Sequence, residues 1–301
     1  MKIAVIDLGT NTFHLLIAEQ NGNELQVIYK TNQPVKLGED ITKNNLIIPS
    51  AFKRGIVCLQ EFRAEIDKQG VDLVKATATS GVRSAINGLD FVEAAKNEAG
   101  IHIDIIDGDE EAQYIYEGVK WSGAITGKSL IMDIGGGSTE FILCDEQHLI
   151  WKKSYNIGAA RLMQAFFKSD PINEADQDSI LDHLTNELKD LIFICKTHLP
   201  QTLIGSAGAF ETFAGMIAPD LNIKEISTAE IAITAYRRLA EQLISATHEE
   251  RAKMEGLIPL RVDMIVMACL LTNYVIDQLG LNELKLSTYD LKMGVLASLK
   301  D

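Results

Sequence analysis

A chain of 301 residues, 47% hydrophobic and 23% charged, holds enough apolar material for more than one core and lacks the composition of a disordered protein. Its 28 Lys and Arg against 42 Asp and Glu leave a net charge of −14, which argues against non-specific binding to nucleic acid or to an anionic membrane. Any polyanionic ligand must therefore be held by a local pocket that overcomes a repulsive overall field.

The chain begins MKIAVIDLGTN, where Asp7 breaks a short apolar stretch; this predicts a first strand rather than a signal peptide. With residues 3–19 (IAVIDLGTNTFHLLIAE) it predicts a β-hairpin, two apolar runs joined by a small polar tip. A third strand follows over 24–30. A helix over 49–68 carries Phe52, Ile56, Leu59, Phe62 and Ile66 at helical spacing. Residues 71–79 predict a strand, 90–99 a helix, 101–107 a strand and 109–121 a helix.

The pattern then starts again. Aligning Asp7 with Asp133 in residues 130–146 (LIMDIGGGSTEFILCDE) puts Gly9 on Gly135, Thr12 on Ser138 and Leu15 on Phe141, a repeat too long for a solenoid. A third strand over 148–157 follows, then helices over 159–167 and 173–198. After them come a strand over 202–206, a helix opening at 207–215, several helices filling 228–279, a last strand over 283–288 and a final helix from 290. Two α/β domains of one build are expected, residues 1–124 and 125–301, divided near the Gly-rich segment 122–127.

The longest apolar run, 264–276, is too short to span a bilayer and contains Thr272 and Asn273. It serves either as core or as the face of a homodimer, which is the expected assembly. Cys58, Cys144, Cys195 and Cys269 form no metal-ligand or disulfide spacing and suit reduced thiols in a core. A soluble cytoplasmic protein without nucleic-acid or membrane partners is expected.

The hairpin tips carry the chemistry. Gly9, Thr10, Asn11 and Thr12, and again Gly135, Gly136, Gly137 and Ser138, let backbone N–H groups approach an anion. Two such tips facing across a cleft suit a di- or polyphosphate, although each is also a tight turn in its own right. Asp7 and Asp133, beside bound phosphate, make most sense as ligands of magnesium. Gly205 and Gly208, between a strand and a helix N-terminus, offer a third anion- or nucleotide-sized turn. Arg83, just after a strand end, is placed either to fork onto a phosphate or to lie over the sheet in solvent. Asp109, Glu110 and Glu111 open a helix, where acids are favoured anyway. Glu140, just past the second tip, is either an outward strand residue or a group that orients or deprotonates water. The sequence has no nucleophile elbow, no Walker-type loop and no H-E-x-x-H, so a covalent nucleophile is unsupported and attack by activated water remains.

Together D-L-G-T-N-T-F-H-L, A-T-S-G-V-R-S-A-I-N, the G-D-E-E-A segment and D-I-G-G-G-S-T-E resemble the exopolyphosphatase / guanosine pentaphosphate phosphohydrolase family. That family belongs to the actin-like ATPase superfamily, with two ribonuclease-H-like domains around a cleft, and the chain resembles its short, two-domain form. The resemblance implies that Glu111 and Glu140 activate water, that Asp133 holds magnesium with Asp7 as helper, that both tips grip phosphates, and that Arg83 binds the phosphate next to the scissile one. The substrate would be a small-molecule polyphosphate or guanosine pentaphosphate. The final helix is expected to pack back on the first domain. The chain departs from the family at Asp290, Lys292 and Met293, where Gly, Arg and Glu are usual, and at Ala209, where Thr is usual. A small-molecule phosphotransferase and a non-catalytic alarmone or nucleotide sensor are the alternatives.

Overall fold

The first sheet grows from a hairpin of β1 (Lys2–Leu8) and β2 (Phe13–Asn21), extended by β3 (Glu24–Gln33). The computed structural model describes residues 1–22, 24–40 and 44–299. Helix α1 (Pro49–Gln69) leads to β4 (Leu73–Ala78), the single turn α2 (Ser80–Arg83), α3 (Gly88–Ala99), β5 (Ile103–Ile105) and α4 (Gly108–Ser122). The second sheet starts with β6 (Ser129–Ile134), β7 (Thr139–Cys144) and β8 (Leu149–Tyr155), followed by α5 (Ala159–Phe166), α6 (Glu174–Glu187), α7 (Lys189–His198) and β9 (Thr202–Ser206). The rest is α8 (Gly208–Ile217), β10 (Thr228–Ile231), α9 (Ile233–Ser245), α10 (His248–Arg251), α11 (Met264–Leu279), β11 (Glu283–Ser287) and α12 (Leu291–Ser298).

The strand orders are β3-β2-β1-β4-β5 and β8-β7-β6-β9-β11-β10. In each sheet the first three strands are antiparallel and the next joins the first strand in parallel. The two sheets are one design used twice, the duplicated ribonuclease-H-like arrangement of the actin-like ATPase fold. The match extends to residue register. Asp7 stands opposite His14 and beside Thr77, and Asp133 stands opposite Glu140 and beside Ser206.

Both faces of β1 are covered, so its sequence is apolar almost throughout rather than alternating. Ala4, Ile6 and Leu8 join Leu59, Phe62 and Ile66 of α1 in one core. Ile3 and Val5 face the other way, into a core shared by the two sheets that also takes Ile131, Ile142 and Ile204, Ile115 and Val119 of α4, and Leu291 and Val295 of α12. A third core lies on the far face of the second sheet and contains most of α11. The apolar run at 264–271 is thus interior to the second half, and no helix is long and apolar enough to cross a membrane among the described residues.

Helices α4 and α12 lie together between the sheets. They approach so closely that a Cβ at Gly118 would come within 2.2 Å of the Asp290 carbonyl oxygen, and one at Gly294 within 1.7 Å of that of Tyr114. The last helix is therefore packed on a helix from the first half of the chain.

Two local features differ from the sequence expectation. Thr228–Ile231 is not helical but an edge strand paired antiparallel with β11. Four residues are too few to show a period of two, and the pairing partner lies more than fifty residues ahead. The helix expected over 173–198 is interrupted at Leu188, which α6 and α7 share as a boundary. The strand end expected near Thr79 is met at Ala78, and Ser80–Arg83 turns at once into α2.

Candidate active site

The strands that feed the shared core deliver polar groups at one end of it. Residues two apart on a strand share a face, so Asp7 continues the face of Ile3 and Val5, and Asp133 that of Ile131. On the partner strands His14 extends Leu16 and Ala18, while Glu140 extends Ile142 and Cys144. The shared core ends in a cavity of about 1140 Å³, lined by both tips, the four residues just named, Glu111, Gly208 and Lys292.

The tips are built alike. Gly9 N–H donates to the Thr12 carbonyl at 3.1 Å, and Gly135 N–H to that of Ser138 at 3.0 Å. Carbonyls at each tip are taken by backbone donors, Thr10 O by Gly38 N–H at 2.8 Å and Gly136 O by Ala160 N–H at 3.0 Å. Among the described residues the N–H groups of Thr10, Asn11, Gly136 and Gly137 have no protein acceptor, which is the polarity an anion needs. The tips also touch. A Cβ at Gly136 would fall 2.5 Å from the Asn11 side-chain nitrogen, and one at Gly137 would fall 2.6 Å from Ser80 Oγ. The glycine run is required by contact between the tips as well as by any ligand.

Four carboxylates are held here without enough positive charge. Burial pushes Asp7 up to about 6 against the pull of Lys292. Burial lifts Asp133 to about 7 even though Ser206 Oγ donates to it at 2.7 Å. Glu111 rises to about 7 by burial, opposed by Arg83. Glu140, 1% exposed, is pushed well above the carboxylate range by burial and by the charges of Glu111 and Asp133, although Ser154 Oγ donates to it at 2.6 Å. This set of hard oxygen donors fits magnesium in chemistry. Among the described residues, however, no group of three acids, His or Cys converges enough to hold an ion alone. A magnesium ion there would complete its shell with water and phosphate oxygens, its usual habit.

Arg83 Nη1 donates to Glu111 Oε2 at 2.9 Å and to the Ile106 carbonyl at 2.8 Å. It is thus a partner of Glu111, and that nitrogen is not free for a phosphate. Glu110 is exposed and closes a capping box with Asp107 at the start of α4, so it points away from its neighbour Glu111; Asp109 is exposed too. The third glycine turn is divided. Gly208, with φ of +48°, borders the cavity, whereas Gly205 lies inside β9 where a Cβ would sit 1.9 Å from the Phe210 ring. Its role is packing. Glu211, in the first turn of α8, also lines the cavity at this turn.

Residues that sequence reasoning left aside also meet here. Lys292 bonds to Asp290 and stands 3.9 Å from Asp7. Burial alone would lower its pKa, but Asp290 and Asp7 raise it, so the ammonium stays charged. His14 occupies the position of Glu140 in the duplicated hairpin, and burial, with Lys292 and Arg261, drives its pKa down and keeps it neutral. The repeat itself carried the signal for His14.

Two sheets of one topology around a cleft, twinned glycine tips and a buried acid pair define an actin-like fold equipped for phosphate chemistry. The Ppx/GppA phosphatase family matches residues 16–301, and the chain belongs to it. A Haemophilus influenzae protein named as an exopolyphosphatase is 31% identical, over 99% of this chain and 91% of its own. A guanosine-5'-triphosphate,3'-diphosphate pyrophosphatase of Aliivibrio fischeri is 26% identical over 99% of this chain, but the chain spans only 59% of that relative. The crystal structure of an exopolyphosphatase from Cytophaga hutchinsonii superposes with a TM-score of 0.97 at 36% identity, covering 100% of this chain and 98% of that one.

Proposed function

We propose that this chain is a magnesium-dependent phosphohydrolase that releases the terminal phosphate of inorganic polyphosphate or of guanosine pentaphosphate through an activated water. Polyphosphate is favoured, because the Haemophilus and Cytophaga proteins, which match this chain end to end, both carry exopolyphosphatase names. The free, buried thiols suit a reducing cytoplasm.

The observation that carries the reading is the pair Glu111 and Glu140, buried at one end of the cavity beside the tips, with Arg83 on Glu111. Arg83 favours the ionised form of Glu111, so Glu111 takes the proton of the attacking water. Glu140, protonated in the ligand-free cleft, positions that water. The unpaired N–H groups of Thr10, Asn11, Gly136 and Gly137 hold phosphate oxygens from two sides, and Thr12 and Ser138 line the same space. Asp133 and Asp7 would hold magnesium, which supplies charge neutralisation on the leaving phosphate.

Phosphate release from polyphosphate, ATP and guanosine pentaphosphate, measured side by side with magnesium, tests this. Release from polyphosphate or guanosine pentaphosphate is expected. Transfer of phosphate to an added acceptor without release would make the chain a phosphotransferase, and tight binding without turnover would make it a sensor.

A further inference from the structure

Lys292 sits in the first turn of α12, inside the cleft, and is only 15% exposed. Its ammonium bonds to the Asp290 carboxylate, which also caps the helix by accepting from Lys292 N–H at 3.0 Å. On its other side Asp7 Oδ2 stands 3.9 Å away, reaching in from β1. Two other cations near the acids, Arg83 and Arg261, are committed elsewhere, while Lys30 and Lys224 also border the cavity but do not pair with Asp7 among the described residues. Arg83 is bonded to Glu111 and the Ile106 carbonyl. Arg261 donates to Thr212 Oγ1 at 2.5 Å, beside Glu211. Lys292 is therefore a resident cation at ion-pair distance from Asp7, the carboxylate that a metal would also seek.

We infer that Lys292 is a tethered counter-ion that competes with a free divalent cation for Asp7 and Asp290, so that the cleft accepts the metal together with its phosphate ligand rather than alone. The inference rests on the magnesium reading above and deepens it, because it names the form in which substrate arrives. The physics is simple. A bare divalent cation approaching Asp7 meets an ammonium a few ångströms away, in surroundings that screen charge poorly. A metal–polyphosphate complex is anionic overall and is drawn to the same ammonium and to the unpaired N–H groups of the tips. Lysine suits this role because its ammonium is a compact point charge on a flexible stem and can swing from carboxylate to phosphate.

The test is binding of Mn2+, an oxygen-seeking octahedral ion like Mg2+, to the ligand-free protein, followed by electron paramagnetic resonance without turnover. Wild type should bind weakly at the cleft. Lys292→Met should bind at least about tenfold more tightly, since removing one unit charge at such a distance is worth more than 1.4 kcal/mol wherever the effective dielectric is below that of water. Lys292→Arg, which keeps the charge, should match wild type and controls for ions on the acidic surface. Unchanged binding in Lys292→Met, or tight binding by wild type, overturns the inference. Should Lys292→Met fail to fold, Asp290→Asn decides. It keeps a cap acceptor but leaves the ammonium wholly to Asp7, so Mn2+ must bind no more tightly than to wild type, and a tighter site overturns the inference. A protein that fails to release phosphate from any substrate would refute the proposed function without touching these binding results.

Discussion

Glu111 and Glu140 differ in what stands behind them, and that difference predicts unequal roles. Glu111 has a guanidinium at 2.9 Å, whereas Glu140 has a serine hydroxyl and two acidic neighbours. Glu111→Gln should lower kcat by about 10²- to 10⁴-fold, the usual cost of losing a general base. Glu140→Gln, which resembles the protonated form that Glu140 already adopts, should cost no more than about tenfold; steady-state kinetics on polyphosphate separates the two, and equal losses would refute the division of labour. A base must be ionised to work, so kcat/KM should rise with pH through about 7 as Glu111 loses its proton. Arg83→Gln removes the group that opposes burial at Glu111, so the rising limb should move to higher pH. A limb that stays in place while KM alone rises would return Arg83 to the phosphate. Much of this site was legible in the sequence, because Asp133, the glycine tip and Glu140 recur at the positions of Asp7, Gly9 and His14. The Arg83–Glu111 bond was not, because it joins the end of one helix to the start of another across 28 residues and neither motif names the other.

At the scale of elements, two close approaches hold the architecture, and both run through glycine. At Gly294 the atom in the way of a Cβ is the Tyr114 backbone carbonyl, which cannot swing aside as a side-chain end can. Gly294→Ala should therefore force α12 off α4 and cost about 3 kcal/mol or more in chemical denaturation, at the upper end for overpacking. Gly22→Ala is the contrast, with φ of +62° but open space around it, and should cost only about 1 kcal/mol. Gly137→Ala is a different case. The new methyl would press on the Ser80 and Thr10 side chains, which can shift, so stability should fall less than for Gly294→Ala while KM for polyphosphate rises through the separated tips. A Gly137→Ala enzyme with wild-type KM would show that the tips do not grip the substrate. Sequence periodicity found the hairpins and long helices because each buries a face with its own period. It missed β10, whose strand character comes from pairing with β11 across the whole of α9–α11, and the break between α6 and α7, which falls inside a continuous helical pattern.

For the whole molecule the acids of the cleft tie stability to pH. The repeat foretold two sheets of one topology, but not that α4 and α12 would fuse them through a common core ending in carboxylates that Arg83 and Lys292 only partly compensate, since the facing partner of an apolar stripe is not written in its spacing. Asp133 keeps its proton up to about 7 in the fold, whereas an unfolded Asp releases it near 3.8; Asp7 does the same up to about 6. Between those values the folded protein binds more protons than the unfolded chain, so its stability falls as pH rises through this window and levels off above about 7. His14 acts in the opposite sense, since below about 6.5 the unfolded chain takes up a proton that the fold refuses. The net slope of wild type mixes these effects with the surface charge, so the informative quantity is the difference from a variant. Asp133→Asn removes the penalty of ionising Asp133 and keeps an acceptor for Ser206. At about pH 5, where Asp133 is protonated in the fold, the variant and wild type should melt within a few degrees of each other. At about pH 8, where wild type must hold a buried charge, the variant should be the more stable by several kcal/mol, each tenfold difference in proton affinity being worth about 1.4 kcal/mol. Thermal melts of both proteins in a metal-free, low-salt buffer at the two pH values give the answer. A variant that is less stable than wild type at both would mean that Asp133 is already compensated in the ligand-free cleft, and that the cavity does not call for the cation that the proposed chemistry needs.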